Sequence, residues 1–200
     1  MLKNLFKIFT ELVMSKNPAY RYAVKLKRNY RLAILNNKED KVLDICGGIN
    51  PLSKDYINVD VLDHPNVDIV SDLQYPLPFE DSEISKIISV ATLEHFGILD
   101  INKILKEFNR ILKTNGKLEI GVPSLDKILA YYSVHGCDEM VIRYLHGAQK
   151  DNQDIHLCIL DFKRFKNELE KVGFVNIEEL DYDFSLHDKI FMMKISANKK

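Results

Sequence analysis

The spacing of the apolar residues divides the chain into two parts. Over 2–14 and again over about 18–35 these residues recur at helical intervals, and Asn17-Pro18 separates the two segments. From Lys41 onward the apolar residues form short runs that alternate with helical segments. The pattern predicts a basic helical extension over 1–40 and a domain over 41–200.

The short apolar runs predict seven β-strands. These are residues 42–46, 57–60, 67–70, 86–91, 117–122, 174–180 and 189–196. Helices are predicted over 99–113 and about 161–172, where Asn115-Gly116 and Gly173 follow. Strands that alternate with helices indicate an α/β fold with a doubly wound, mainly parallel sheet, finished by two antiparallel strands. Residues 124–160 are predicted to be an irregular insertion after the fifth strand.

The charge is balanced overall but not along the chain. The formal net charge is −1, so no global field attracts the protein to nucleic acid, and we expect no nucleic-acid partner. Residues 1–40, however, carry nine Lys or Arg residues against three acidic ones. Three interpretations of this extension stay open: a cap on the domain, a peripheral contact with an acidic membrane through residues 1–35, and a homodimer contact.

The cysteines and the start of the chain indicate a cytoplasmic protein. Three cysteines argue against a disulfide framework. His135-Gly-Cys137 and His156-Leu-Cys158 repeat a spacing that arises easily by chance, so no metal site is predicted. No stretch approaches the roughly 20 apolar residues of a membrane span. Lysines interrupt the apolar start, which therefore lacks the core of a signal peptide.

The candidate chemistry lies just after the predicted strands, where open α/β sheets bind ligands. The first strand contains Asp44 and runs into Cys46-Gly47-Gly48, where glycines allow the backbone to approach a ligand. The second ends in Asp60, whose carboxylate suits a ribose diol. Asp72-Leu73 follows the third and suits an adenine ring. A plain glycine turn and a solvated turn aspartate are the alternatives.

The fourth strand is followed by Thr92-Leu93-Glu94-His95-Phe96, which the same topology brings to the same edge. A helix-capping carboxylate and a surface histidine are the alternative interpretations of Glu94 and His95.

In this order and spacing, residues 41–123 resemble the class I S-adenosylmethionine-dependent methyltransferases. Residues 42–48 are similar to the strand-and-glycine motif of that family, and Asp72-Leu73 followed by Leu77-Pro78-Phe79 is similar to its adenine-side motif. Leu93-Glu94-His95 is similar to the motif after strand four, and residues 109–116 to the helix and turn before strand five. Asn50-Pro51 matches a compact subgroup.

The resemblance implies a seven-stranded Rossmann-like methyltransferase fold with S-adenosylmethionine as its cofactor. It implies a cofactor site made from Asp44, Cys46, Gly47, Gly48, Asn50, Asp60, Val61, Asp72, Leu73, Ala91 and Glu94. Two features depart from the family pattern. Cys46 stands where the first glycine is usual, and only about ten residues separate the first two strands, too few for a full crossover helix.

Methyl transfer from a sulfonium is an in-line displacement, so the protein mainly aligns the reactants and excludes water. A hydroxyl acceptor also benefits from a general base. His95 is the first candidate for that base, His156 the second and His146 the third. The insertion 124–160 is predicted to cover the acceptor. Its polar and aromatic side chains suit a sugar or small metabolite, or equally the packing of two short helices: Asp126, Tyr131, Tyr132, Arg143 and Tyr144.

The sequence therefore predicts a methyltransferase that acts on a small molecule or a sugar or glycan, without fixing the acceptor. A catalytically inactive binding module of the same fold is the main alternative, and Cys46 is the residue that suggests it. A nicotinamide-dependent oxidoreductase requires G-x-G-x-x-G at the start of a long helix, and residues 46–51 provide neither.

Overall fold

A computed structural model describes residues 18–150 and 154–200. The predicted helix over 2–14 lies outside the described residues. The second predicted helix is present as α1, Pro18–Asn36, and begins at the proline. No helix of the described ranges is long and apolar enough to cross a membrane.

The helix α1 contacts the domain through two arginines. Arg31 donates to both carboxylate oxygens of Asp68, at 2.6 and 3.0 Å. Arg28 donates to the carbonyl oxygen of Val67 at 2.7 Å. These contacts agree with a cap over residues 18–36. The opposite side of α1 exposes Tyr22, Leu26, Tyr30 and Ile34, spaced four residues apart. The membrane and homodimer contacts stay predictions.

The domain is built on a seven-stranded sheet. Its strands are β1 Val42–Ile45, β2 Ile57–Asp60, β3 Ile69–Val70, β4 Ile84–Val90, β5 Leu112–Pro123, β6 Phe174–Leu180 and β7 Met192–Lys199. The strand order is β3-β2-β1-β4-β5-β7-β6, and β7 is antiparallel to both of its neighbours. The first five strands are parallel. The predicted doubly wound sheet with an antiparallel finish is confirmed.

Four helices lie within the domain: α2 Ile98–Ile111, α3 Leu125–His135, α4 Glu139–His146 and α5 Phe162–Lys171. The helices α2 and α5 were expected from the sequence, whereas α3 and α4 occupy the predicted irregular insertion. The side-chain oxygen of Ser124 accepts a hydrogen bond from the amide of Lys127 in the first turn of α3. The side chain of Asp138 accepts one from the amide of Val141 in α4. These caps stabilise the N-termini of both helices.

The last strand begins three residues later than its pattern predicted. Residues 189–191 belong to a turn, in which the amide of Phe191 donates to the carbonyl oxygen of Asp188 at 3.1 Å. Pairing with β5 determines where β7 begins. Met192 is the first residue of β7 and pairs with Pro123, and the register continues to Asn198 opposite Lys117.

Two apolar clusters hold these elements together. The larger one fills the space between the sheet and the helices α2 and α5. The smaller one joins α3 and α4 to the start of β7 through Ile128, Val141, Tyr144, Phe191 and Met192. Residues 46–56, all of which the structure describes, contain no helix, as expected for so short a crossover.

Candidate functional site

A cavity of about 440 Å³ lies at the carboxyl ends of β1 to β4. We call residues 44–48, 58–62 and 71–74 its carboxylate wall, and residues 91–96 and 154–158 its histidine wall. The side chains and backbone that line it belong to Cys46, Asp60, Val61, Leu62, Ser71, Asp72, Leu73, Gln74, Ala91, Thr92, His95, Phe96, Ile155 and Leu157.

Asp60 is held in the carboxylate wall by two backbone amides. The amide of Gly48 donates to Oδ2 at 2.9 Å, and the amide of Leu62 donates to Oδ1 at 2.8 Å. Only 5% of Asp60 is exposed. A carboxylate has about four acceptor positions, so one lone pair on each oxygen remains for a ligand. This arrangement can accept both hydroxyl groups of a diol.

Gly47 packs directly on two buried polar side chains. A Cβ atom on this residue would lie 2.6 Å from Oδ2 of Asp44 and 2.7 Å from Oδ1 of Asn58. The amide of Leu52 donates to the same Asp44 oxygen at 2.6 Å, whereas Oδ1 of Asn58 has no hydrogen-bond partner among the residues described. Glycine is required here by close approach, and Oδ1 of Asn58 is left as a buried acceptor without a donor among the residues described.

Burial raises the pKa of Asp44 to about 6, and the nearby Asp60 carboxylate adds to this effect, while the Leu52 amide opposes it. Removal from water disfavours the charged form because few dipoles replace the lost solvent. A cationic group of a ligand placed here would restore the charged carboxylate.

Asp72 is held by its own turn. Its Oδ1 accepts from the amide of Gln74 at 2.9 Å, which fixes the side chain at the rim of the cavity. Leu73 is buried and belongs to the larger apolar cluster, yet it also lines the cavity. The pair thus offers a polar oxygen beside an apolar surface, which suits a flat heteroaromatic ring.

Two residues that line the cavity have left-handed backbone conformations without being glycine. Cys46 has φ of 57° and Ala91 has φ of 52°, and they follow β1 and β4 directly. Such conformations cost about 1–2 kcal/mol and concentrate at functional sites. Burial raises the pKa of the Cys46 thiol to about 12, so the thiol stays neutral in the wall. The predicted departure at Cys46 therefore places a small uncharged side chain against the cavity.

The histidine wall begins with a short 3-10 helix, Leu93–His95. It buries the side chain of Glu94, of which 3% is exposed. Oε2 of Glu94 has no hydrogen-bond partner in the described part of the chain. Burial raises the pKa of this carboxyl group to about 8, although the backbone amides of Glu94 and Thr92 partly oppose the effect.

Residues 154–158 are fixed against the 3-10 helix on one side and α4 on the other. The amide of Leu157 donates to the carbonyl oxygen of Glu94 at 2.7 Å, and the amide of His156 donates to that of His146 at 3.2 Å. Gly147 allows the approach to α4, because its φ is 81° and a Cβ would overlap the backbone of Asp154.

This return of the chain brings His95 and His156 together, with their ring centroids 5.0 Å apart. Nδ1 of His95 lies 3.1 Å from the carbonyl oxygen of Ile155, and Nδ1 of His156 lies 2.8 Å from that of Tyr144. Burial lowers the pKa of His156, which favours its neutral form.

The structure separates the predicted site residues into two groups. Those that line the cavity are Cys46, Asp60, Val61, Asp72, Leu73, Ala91 and His95. Those that lie behind the lining or beside it are Asp44, Gly47, Gly48, Asn50, Glu94 and His156. Asn50 is exposed, and the others support or adjoin lining residues.

Several lining residues were not predicted. Leu62, Ser71 and Gln74 adjoin predicted residues, so the ends of the strands contained the signal for them. Thr92 and Phe96 belong to the segment after the fourth strand, which was expected at this edge although neither residue was singled out. No local signal points to Ile155 and Leu157, which come from a distant part of the chain.

Two of the three tyrosines of the insertion, Tyr131 and Tyr144, are used in packing, whereas Tyr132 is exposed. Tyr144 stacks on Phe191 at 4.4 Å between ring centroids, and its hydroxyl accepts from the amide of Asp188 at 2.9 Å. The hydroxyl of Tyr131 donates to Asp138 at 2.9 Å. Of the two interpretations of these tyrosines, the packing of two short helices agrees with the structure.

Residues 18–179 match the model of a protein family described as a methyltransferase domain. A search of curated proteins finds no matching sequence. Many solved structures have a similar fold.

Three of the similar structures are methyltransferases. A Thermotoga maritima protein, described as a possible histamine N-methyltransferase, has 16% identity and a TM-score of 0.54 over 88% of this chain and 92% of its own. Phosphoethanolamine N-methyltransferase 2 of Haemonchus contortus, in complex with S-adenosyl-L-methionine, has 17% identity and a TM-score of 0.54 over 86% and 52%. A Methanosarcina mazei SAM-dependent methyltransferase has 17% identity and a TM-score of 0.57 over 84% and 96%. At 16–17% sequence identity, the similarity to these structures shows only that the fold is shared.

Proposed function

The chain belongs to the methyltransferase domain family, as an S-adenosylmethionine-dependent enzyme, and we propose that it methylates a small molecule or a sugar bound against the histidine wall. The observation that carries this proposal is the composition of the cavity. One space of about 440 Å³ combines Asp60 and Asp72 on one wall with His95 on the other. This volume is typical of sites for small molecules.

The residues of the carboxylate wall fit the cofactor. Asp60 retains one free lone pair on each oxygen for the ribose hydroxyls, and Asp72 with Leu73 suits the adenine ring. Behind the lining, the buried carboxylate of Asp44 and Oδ1 of Asn58, which has no hydrogen-bond partner among the described residues, suit a nearby ammonium group. Cys46 and Ala91 line the space between these positions.

When bound, S-adenosylmethionine supplies a methyl group whose bond to sulfur breaks, the electron pair staying on sulfur, as a lone pair of the acceptor forms the new bond to carbon. The protein contributes alignment and the exclusion of water. Phe96, Ile155 and Leu157 give the cavity an apolar border that serves the second purpose.

His95 acts on the acceptor in this proposal, and His156 supports it. A carbonyl oxygen only accepts hydrogen bonds, so the contact with Ile155 places the proton of the neutral His95 ring on Nδ1. Nε2 then carries a lone pair that can take the proton of an acceptor hydroxyl.

The names of two similar proteins support a small acceptor. Histamine and phosphoethanolamine appear in the names of the Thermotoga maritima and Haemonchus contortus proteins, and both are small molecules. We extend only the size of the acceptor to this chain, because the identities are 16% and 17%.

The test is to incubate the purified chain with methyl-labelled S-adenosylmethionine and a cell extract separated into small molecules, proteins and nucleic acids. We expect label in the small-molecule fraction and its loss with His95→Ala. Label confined to protein or nucleic acid would overturn the proposed acceptor class. Cofactor binding without any transfer would favour the inactive binding module.

A further inference from the structure

Three side chains that can bind a metal ion meet in the histidine wall. One ligand atom from each of Glu94, His95 and His156 lies within 4.8 Å of those of the other two. We propose that these three residues bind one divalent transition-metal ion of the zinc type, which holds and activates an oxygen atom of the methyl acceptor. This inference rests on the proposed function and differs from the sequence-based expectation of no metal site.

Both histidines are oriented as metal-binding histidines usually are. In such sites the ring nitrogen that does not bind the metal commonly donates to a backbone carbonyl or a carboxylate, which fixes the tautomer. Nδ1 of His95 faces the carbonyl oxygen of Ile155, and Nδ1 of His156 faces that of Tyr144. The two Nε2 atoms are thus left with lone pairs on neighbouring rings, with centroids 5.0 Å apart.

Glu94 supplies an independent indication of a missing cation. Its side chain is buried, and no partner within residues 18–150 and 154–200 forms a hydrogen bond with Oε2. No ion pair in those ranges involves it either. A buried acceptor without a partner costs free energy, which a bound cation would recover. One carboxylate and two imidazoles form a common donor set for a divalent metal that keeps open positions.

The place of this group determines what the ion would do. His95 lines the cavity, so the ion would lie at the cavity wall and have open positions for an oxygen of the acceptor. A hydroxyl group bound to a divalent ion has a strongly lowered pKa, so its proton leaves to solvent. The oxygen lone pair then attacks the methyl carbon while the carbon–sulfur pair stays on sulfur. With the ion bound, the two histidines act on the acceptor through the ion. The ion then replaces the direct proton-accepting role of His95 described under the proposed function, and the acceptor is a hydroxyl-bearing molecule.

The His-x-Cys pairs offer a rival donor set that the structure does not assemble. His135 stacks on Tyr131, with 4.3 Å between ring centroids, and Cys137 is exposed. Neither Cys137 nor Cys158 belongs to the group of three. His135→Ala and Cys137→Ser are therefore matched controls, because they alter residue types that bind zinc at positions away from the proposed ligands.

The experiment uses the full chain after removal of metals with a chelator. Zinc binding is measured by equilibrium dialysis, and Co²⁺ is added separately to record its visible absorption. We expect one equivalent of zinc, and an affinity at least about a hundredfold lower in Glu94→Gln, His95→Ala and His156→Ala, since even residues that only orient a ligand change affinity 10- to 100-fold. Glu94→Gln preserves the shape of the side chain, so it keeps the test valid if a histidine variant unfolds.

Each outcome decides the inference. Stoichiometric zinc that is lost in these three variants and kept in both controls supports it. Less than one equivalent in the wild type, an unchanged affinity in Glu94→Gln, or a loss in Cys137→Ser would overturn it. S-adenosylmethionine binding to the same samples is measured by calorimetry. Binding of the cofactor without zinc contradicts only the metal site, whereas loss of both contradicts the proposed function.

Discussion

The two walls of the cavity position their polar groups in different ways. On the carboxylate wall, Asp60 is held by amides at most 12 residues away, and Asp72 by an amide two residues away. On the histidine wall, His95 is held by a carbonyl 60 residues further along the chain. Glu94 of that wall keeps a buried oxygen for which the described residues provide no donor.

The difference leads to a hypothesis about which wall is specific to the reaction of this protein. A wall made of consecutive loops after parallel strands is a property of the fold, because those loops meet at one edge of any such sheet. The histidine wall is completed by residues 154–158, so its structure depends on how the insertion 124–160 returns over the edge of the sheet. We therefore expect changes on the first wall to affect cofactor affinity and changes on the second to affect transfer to the acceptor.

The largest effect is expected from Asp60→Ala. The change removes two charge-assisted hydrogen bonds to the ribose hydroxyls and leaves the amides of Gly48 and Leu62 without their acceptor. At about 2 kcal/mol for each lost bond, affinity for S-adenosylmethionine falls about a thousandfold in calorimetry. Asp63→Ala is the control, because its carboxylate is exposed and pairs with Arg28 at the surface. A loss below tenfold would show that Asp60 does not bind the ribose.

His95→Ala is expected to have the next largest effect, on the other wall. Loss of acceptor activation lowers turnover by about a hundredfold or more. The affinity for S-adenosylmethionine stays within about threefold, because the carboxylate wall is unchanged. Label transfer and calorimetry on the same preparation measure the two quantities. If cofactor affinity and turnover fell together, the functional division between the walls would be wrong.

Asp44→Asn is expected to change the pH dependence of stability. The pKa of Asp44 is raised from 3.8 to about 6 in the folded protein. The protonated carboxyl group therefore contributes to the stability of the wild type in full below pH 4. This stabilising contribution is lost as the pH rises through 6. Asparagine carries no charge at any pH. The variant is therefore more stable above pH 6, by about 2–3 kcal/mol, and similar to the wild type at pH 4.

Urea unfolding at pH 4 and pH 7 measures the effect of Asp44→Asn. The difference between variant and wild type isolates this carboxyl group, because all other titrating groups are present in both. A difference that is the same at both pH values would contradict the raised pKa.

Gly47→Ala is expected to give the smallest of these effects. Its Cβ would lie 2.6 Å from the Asp44 carboxylate, so the loop must shift, at a cost of about 1–2 kcal/mol in the free energy of unfolding. Gly97→Ala is the matched control, because a Cβ there meets nothing within 4 Å and its φ is −69°. Equal denaturation midpoints for the two variants would show that Gly47 is not required by close approach.

The sequence by itself determined the sheet and the carboxylate wall. Apolar runs and helix ends are local features, and β1 to β4 each deliver the residue that follows them to a shared edge. Asp60, Asp72 and Leu73 were therefore predicted as lining residues from their positions after strands. The number of residues between β1 and β2 also predicted that the crossover between these strands is too short to contain a full helix.

Only the tertiary structure decided the histidine wall. His156 was predicted from its residue type and from its place in the insertion 124–160, which was expected to cover the acceptor. Nothing in the sequence places it beside His95 and Glu94, and nothing there singled out Ile155 and Leu157. Their position depends on α3, α4 and Gly147, which together return the chain across the cavity. Contacts between residues some 60 positions apart arise from the packing of whole elements, and local spacing contains no information about that packing.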